Sequence, residues 1–210
     1  MSTFQTIVEA NLGYYHPWSQ DTYLSQINED DSEGVCSGVC SEWLRMRRFA
    51  VKAGLYPRQT FKDHMVTDGA KKNVLKIQQA HQKAIEENQG GLPQIIVAAK
   101  MAAILNPLKE EGMKLMGTTV TNDAGTMTSF ITSEKAFYLI GLHGPGGGHA
   151  LAVHNIGGSG AKIVLFDPNE GEAAWNDQYK EAHFTQSLYR ILQAIYSDVK
   201  NFFIVARLGS

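Results

Sequence analysis

The sequence GVCSGVCSEWL, from Gly34 to Leu44, begins the clearest helical pattern of the chain. The apolar residues of this pattern are spaced by three or four positions: Val39, Trp43, Met46, Ala50 and Ala53. Such spacing is typical of one face of an α-helix, and Gly54 is a typical residue directly after a helix end. The stretch therefore predicts a helix from Cys36 to Ala53, with a cysteine in its first turn.

The rest of the chain predicts an α+β order. Two further helices are expected, from Lys71 to Asn88 and from Pro93 to Ile104, and Pro107 is expected to close the helical half. After residue 112, short segments rich in β-branched and aromatic residues lie between Gly, Asn and Asp clusters. They predict strands at Lys114–Thr121, Met127–Thr132, Lys135–Leu142, His149–Ile156, Lys162–Asp167 and Asn201–Leu208. One more helix is expected at Thr185–Tyr196. Because helices come first and strands later, we expect a helical lobe packed against an antiparallel sheet lobe.

Composition narrows the class of protein. Apolar residues make up 43% of the 210 residues and charged residues 19%, which is normal for a globular domain. The formal net charge is −2 without a basic block, which disfavours a nucleic-acid partner. No apolar run is long enough to span a membrane, and residues 1–15 lack the pattern of a Sec signal peptide. The two cysteines cannot form a disulfide framework, so a reducing compartment is favoured.

Domain boundaries follow from the same patterns. Residues 1–33 are polar and turn-rich, so they are expected to form an N-terminal segment, either a translocation signal or a strap over a cleft. Residues 34–208 are expected to form one domain with two lobes. No internal repeat is present.

Cys36 is the first candidate for chemistry. The unpaired amides and positive end of a helix favour a thiolate, which is the reactive form of cysteine. The alternative is a buried thiol with a packing role only. Cys40 lies one turn further on and is expected to be a core residue, because no second cysteine pair or close histidine pair accompanies it as zinc would require.

His149 is the second candidate. It follows the glycine-rich turn Gly144-Pro145-Gly146-Gly147-Gly148 at the start of a predicted strand. These glycines leave room for a substrate backbone beside the imidazole. A phosphate-binding loop is disfavoured, because no helix and no Lys-Ser/Thr pair follow the glycines.

Asp167 is the third candidate. It ends an apolar strand and precedes Pro168 and Asn169, so it is either a turn-forming aspartate or a carboxylate that orients His149. An antiparallel pairing of the two strands would bring Asp167 and His149 side by side. Cys36, His149 and Asp167 together supply a nucleophile, a base and an orienting group.

Three short blocks of this sequence resemble the YopT-type cysteine proteases, a papain-like family that includes bacterial effectors. The first block is Gly34, Cys36, Val39 and Trp43; the second is Gly148 to Ala152; the third is Phe166 to Asn169, followed by Gly171. The resemblance implies a papain-like fold in which the helical lobe carries the nucleophile, and a Cys36-His149-Asp167 triad.

The resemblance has one departure. Papain-like enzymes usually have a Gln or Asn donor a few residues before the nucleophile, whereas Asp30 and Asp31 stand there in this sequence, and an ionised carboxylate cannot donate. Asn28 is the substitute donor that we consider, and Gly148 is the candidate for contact with the substrate.

These observations predict a cysteine endopeptidase that acts on a protein or peptide through an acyl-enzyme, without a cofactor or metal. The alternatives are a deamidase, transglutaminase or acyltransferase with the same triad, and a catalytically weak module that binds a partner. As the resemblance implies, the protein would be cytoplasmic in the producing cell and secreted into a target cell as an effector or toxin.

Overall fold

The computed structural model describes residues 1–27, 35–55, 57–88, 93–110, 112–145, 147–157, 162–199 and 201–209. The helices are α1 Thr3–Ala10, α2 Gln20–Ile27, α3 Val35–Ala53, α4 Pro57–Met65, α5 Asp68–Glu87, α6 Pro93–Glu110, α7 Ala124–Thr132 and α8 Lys180–Ala194. The strands are β1 Tyr14–Pro17, β2 Lys114–Thr121, β3 Ala136–Gly144, β4 Gly147–Asn155, β5 Ile163–Asp167, β6 Gly171–Trp175 and β7 Phe202–Gly209.

The chain divides into two compact units. The helical unit is Gln20–Lys114, and the sheet unit combines Met1–Ser19 with Leu115–Gly209. The α+β class with an antiparallel sheet is the one that the sequence predicts, but α1 and β1 of the sheet unit precede the helical unit in the chain. The predicted domain boundary at residue 34 stays a prediction.

The helical unit is organised around α3, which contacts α4, α5 and α6. The side chains of Val39, Cys40 and Leu44 are completely buried, and Trp43 is nearly so. The predicted apolar stripe of α3 is therefore largely its core face, although Ala53 at the helix end is exposed.

Pro107 lies inside α6, which corrects the expectation that this residue closes the helical half. A proline inside a helix removes one backbone hydrogen bond and normally kinks or ends the helix. Here the helix continues to Glu110, and Leu108, directly after the proline, is 2% exposed. Burial of this leucine, at a typical gain of about 1.5–3 kcal/mol, offsets part of the cost of the proline.

Among the described residues, the sheet has seven strands in the order β1-β6-β5-β4-β3-β7-β2. The ladders of β1 with β6, β6 with β5, β5 with β4, β4 with β3 and β3 with β7 are all antiparallel. Side chains alternate between the faces of a strand. The alternate residues Leu151 and Val153 of β4, and Ile163 and Leu165 of β5, belong to the same core cluster as the apolar side of α8.

Residues 127–132 belong to α7 and not to a strand, so this prediction was wrong. Asp123 caps the helix, because its carboxylate accepts from the Thr126 backbone N–H at 2.7 Å. Thr128 and Thr132 donate their hydroxyls to backbone carbonyls four residues earlier. The β-branched residues that suggested a strand are thus accommodated on a helix, whose cap decides the conformation.

The N-terminal segment contains regular structure that the sequence analysis did not predict. Ser2 caps α1 by accepting from the Gln5 N–H, and Phe4 and Val8 lie in the core of the sheet unit. Strand β1 forms one edge of the sheet beside β6, which was also not predicted. Within the described ranges, no helix has both the length and the hydropathy needed to cross a membrane.

Candidate active site

Asp167 is the last residue of β5, and its carboxylate is held by the turn that follows. The Asn169 backbone N–H donates to Asp167 Oδ1 at 3.0 Å, and the Glu170 N–H donates to the Asp167 carbonyl at 3.2 Å. The turn leads into Gly171, whose φ of 132° is a conformation that other residues rarely adopt. The carboxylate is completely buried, so its oxygens require partners.

His149 lies on β4, the strand next to β5. The two strands are antiparallel, with Ala152 opposite Phe166, and this register brings the start of β4 to the end of β5. His149 Nε2 is 3.0 Å from Asp167 Oδ1, and the histidine side chain is 8% exposed. The structure thus brings together two of the three residues predicted for the triad.

The use of Nε2 decides which nitrogen of His149 can act as a base. A carboxylate accepts hydrogen bonds, so Nε2 carries the proton that lies between the two groups. In the neutral imidazole, the lone pair is then on Nδ1. Asp167 therefore selects the tautomer whose Nδ1 can accept or return a proton.

Tyr196 completes this cluster, and the sequence analysis did not identify it. Its hydroxyl is 2.6 Å from Asp167 Oδ2 and 3.1 Å from His149 Nε2. Its ring is stacked on the imidazole, with centroids 4.7 Å apart and planes inclined by 16°. Its spacing could have indicated that it faces the sheet. Tyr196 lies four residues after Leu192, which is the spacing of the apolar residues on the inner face of α8.

Cys36 belongs to the helical unit, where it is the second residue of α3. It lies in the first turn of this helix, as the sequence predicts. Cys36 is 9% exposed and Cys40 is fully buried, and neither forms a disulfide. Of the two, Cys36 is the more accessible to a reagent or substrate.

The remaining predicted residues have different outcomes. Gly148 is in β4 and pairs with His143 of β3. Asn28, the candidate oxyanion donor, lies outside the described residues, as do Asp30 and Asp31. Within the described part of the chain, no group of three His, Cys, Asp or Glu side chains could hold a metal ion.

Comparison with known families decides the identity of the chain. Residues 17–208 match the model of the peptidase family C58, described as Yersinia/Haemophilus virulence surface antigen. The chain belongs to this family, the YopT-type cysteine peptidases. The match covers both units, so the C58 chain is a cysteine peptidase whose substrates are proteins.

A solved structure with a TM-score above 0.5 supports the fold of the C58 chain. The Pseudomonas avirulence protein AvrPphB has a TM-score of 0.65 at 15% identity, with 94% of this chain and 97% of that chain covered. PatoxP, a cysteine protease-like domain of the Photorhabdus asymbiotica toxin PaTox, has a TM-score of 0.48 at 13% identity, covering 97% of this chain and 57% of that chain. No curated protein sequence matches the chain.

Proposed function

We propose that the chain is an endopeptidase in which Cys36 is the nucleophile, His149 the general base and acid, and Asp167 the group that orients His149. The observation that carries this proposal is the 3.0 Å contact of His149 Nε2 with the buried Asp167. Because Nε2 is bound to Asp167, Nδ1 is the nitrogen that exchanges a proton. A cysteine at a helix start is a suitable partner, since the imidazole can accept its thiol proton and so form the reactive thiolate.

The chemistry follows from these roles. Proton transfer from the Cys36 thiol to His149 Nδ1 gives an imidazolium–thiolate pair. The thiolate attacks the carbonyl carbon of a peptide bond, the C–N bond breaks, and Nδ1 returns its proton to the leaving amine. Water then attacks the thioester while Nδ1 accepts a proton from it, and the carboxylic acid product leaves with the thiol restored.

The oxyanion of the tetrahedral intermediate needs hydrogen-bond donors. We assign the first to the backbone N–H of Cys36, since the amides in the first turn of a helix point towards its N-terminal end, where they favour negative charge. The side-chain amide of Asn28 is the second. We assign Gly148 to the substrate cleft, where the absence of a side chain leaves space beside His149.

We further propose that the protein acts as an effector or toxin, made in the cytoplasm of one cell and active after transfer into another. Support comes from the family description as a virulence surface antigen and from the similarity to an avirulence protein. The target would be a protein of the recipient cell.

The test is the pH dependence of alkylation by iodoacetamide, with mass spectrometry to identify the modified cysteine. We expect Cys36 to react with a midpoint below about 8.5, the value of a free thiol, and Cys40 to stay unmodified. His149→Ala should lower the rate at neutral pH, because the thiolate loses its cationic partner.

Protease activity is tested with a peptide library prepared from a cell lysate, in which new N-termini are sequenced after incubation. Cys36→Ala should produce none, whereas Cys40→Ala should match the wild type. An active Cys36→Ala variant, or a Cys36 midpoint of an ordinary thiol that His149→Ala does not change, would refute the proposed function.

A further inference from the structure

Tyr196 is a buried polar residue with two partners in the candidate site. It follows the end of α8, is 7% exposed, and belongs to the core cluster of the sheet unit. A phenylalanine would fill the same space against the sheet. The hydroxyl therefore has a role that core packing alone does not require.

We propose that Tyr196 is a positioning residue for the catalytic pair: its hydroxyl holds Asp167 Oδ2 and its ring holds the plane of His149. This inference rests on the proposed function, because positioning matters for catalysis only if His149 is the base. It adds a residue that acts through Asp167 and His149 and does not itself touch the substrate.

The two oxygens of the Asp167 carboxylate accept hydrogen bonds from different donors. Oδ1 receives His149 Nε2–H and the Asn169 N–H, whereas Oδ2 receives the Tyr196 hydroxyl at 2.6 Å. Because both oxygens have donors, rotation of the carboxylate about its Cβ–Cγ bond would break three contacts at once. Oδ1 is thereby kept at the imidazole.

Tyr196 remains a donor over the working range of pH. Burial, and then the negative charge of Asp167, raise the pKa of Tyr196 above its ordinary value of about 10. The neutral phenol directs its proton to Oδ2, the nearer of its two partners. His149 Nε2 already carries a proton, so it cannot accept the hydroxyl proton of Tyr196.

The backbone after Tyr196 is packed closely against the β3–β4 hairpin. The Val199 N–H donates to the Tyr196 carbonyl at 3.2 Å, and the Asn201 N–H donates to the His143 carbonyl at 2.9 Å. A Cβ on Gly144 would lie 2.7 Å from the Val199 Cα, so only glycine allows this approach. The position of the Tyr196 ring is thus set by backbone contacts with the hairpin that carries His149.

The experiment compares Tyr196→Phe with Tyr138→Phe in the full chain. Tyr138 is a fully buried tyrosine of the same core whose hydroxyl donates to the Glu134 carbonyl at 2.7 Å, so it is the matched control for loss of one buried hydroxyl. Thermal unfolding measures the effect on stability, and iodoacetamide labelling measures the effect on the reactivity of Cys36. The ¹⁵N chemical shifts of the imidazole report which tautomer His149 adopts.

We expect wild-type His149 to be the Nε2–H tautomer when neutral. In Tyr196→Phe, the Nδ1–H tautomer should become populated, and Cys36 labelling at pH 7 should slow by about tenfold, the effect of a hydrogen bond to a charged group worth about 1.5 kcal/mol. Tyr138→Phe should lose comparable thermal stability but keep the tautomer and the labelling rate.

Three results would overturn the inference. The first is an Nδ1–H tautomer of neutral His149 in the wild type, and the second is a Tyr196→Phe variant that keeps the wild-type tautomer and Cys36 labelling rate. The third is that Tyr196→Phe and Tyr138→Phe change the tautomer and the labelling rate equally. If wild-type Cys36 labels like an ordinary thiol, the proposed function fails. The tautomer of His149 still tests the positioning role in that case, because it is measured without Cys36.

Discussion

Asp167 Oδ1 accepts from the Asn169 backbone N–H at 3.0 Å and from His149 Nε2 at 3.0 Å. The first bond is that of an Asx turn, in which an aspartate bonds the backbone two residues later. From the sequence, a turn-forming aspartate and an orienting carboxylate were alternatives. In the structure, one oxygen atom makes both contacts, so the turn itself fixes the carboxylate that faces the imidazole.

This shared oxygen predicts different outcomes for two substitutions of Asp167. Asp167→Asn keeps an oxygen for Asn169 and His149, so the turn should persist and the free energy of unfolding should fall by only about 1 kcal/mol. Asp167→Ala removes all three acceptor contacts and leaves the Tyr196 hydroxyl buried without its carboxylate partner, which should cost about 3 kcal/mol or more. Urea unfolding of the two variants measures this difference. Equal losses would contradict the double role of Oδ1.

Gly38 of α3 lies against α5, and this contact predicts that Gly38→Ala lowers the stability of the protein. In a helix, Gly→Ala is normally stabilising by about 1 kcal/mol. A Cβ on Gly38 would lie 2.8 Å from the Val74 carbonyl oxygen and 3.0 Å from Val74 Cγ1, so the two helices would have to separate. We expect Gly38→Ala to lower the free energy of unfolding by about 1–3 kcal/mol.

Gly69 provides the matched control on α5. A Cβ there would meet only Thr67 Oγ1, at 4.0 Å. Gly69→Ala should therefore be neutral or stabilising by a few tenths of a kcal/mol, following helix propensity. Both variants are compared by urea unfolding. A stabilised Gly38→Ala protein would mean that α3 and α5 are not packed as closely as described.

Glu42 is a buried carboxylate of α3, and its pairing predicts a large effect of its removal. Its side chain is 3% exposed and contacts Arg45 Nη2 at 2.7 Å and His64 Nε2 at 2.5 Å. Glu42→Ala would leave the Arg45 guanidinium and the His64 ring without their carboxylate partner, which typically costs about 3–5 kcal/mol for a buried pair. Because Arg45 is 24% exposed and can reach water, we expect a loss of about 2–3 kcal/mol.

The exposed pair of Lys83 and Glu87 is the control for Glu42. These atoms are 3.6 Å apart on side chains that are 72% and 62% exposed. Glu87→Ala should change the free energy of unfolding by less than about 0.5 kcal/mol. If chemical denaturation gave both glutamate variants the same stability, the Glu42 cluster would contribute no more than a surface ion pair.

Elements with a strong periodic pattern were predictable from the sequence, and those decided by other contacts were not. Helix α3 was found because its apolar residues recur at helical spacing. For helix α7 the sequence predicts a strand, because its Thr, Phe and Ile residues favour strands, whereas the N-cap at Asp123 favours the helix that the structure contains. Strands β1 and β6 pair with each other along the sheet, and neither carries a strong local signal.

In the candidate site, too, one contact was predictable from the sequence and another was not. The proximity of His149 and Asp167 was predictable, because they are 18 residues apart on neighbouring strands of a simple antiparallel arrangement. Tyr196 is 29 residues from Asp167 and 47 from His149, and it arrives from the end of α8. Its contact depends on how that helix packs on the sheet, which no local pattern specifies.

His81 of α5 predicts a loss of stability in acid. Burial, and then the charge of Lys100, lower the pKa of His81 to about 4, from about 6.5 in the unfolded chain. Between these values the unfolded state binds a proton that the folded state does not, so the free energy of unfolding falls as the pH drops from about 6.5 towards 4. The shift corresponds to a loss of up to about 3 kcal/mol.

His81→Gln removes this titration, so the difference in stability between the wild type and the variant should change in favour of the variant as the pH falls. Urea unfolding at pH 7.5, 6, 5 and 4.5 measures it, and comparison with the wild type cancels the carboxylates that both proteins share. Lys100→Gln should shift the stability curve in the same direction but by less, because Lys100 is the smaller cause. Parallel stability curves for His81→Gln and the wild type would show that His81 is protonated in the folded protein as readily as in the unfolded chain.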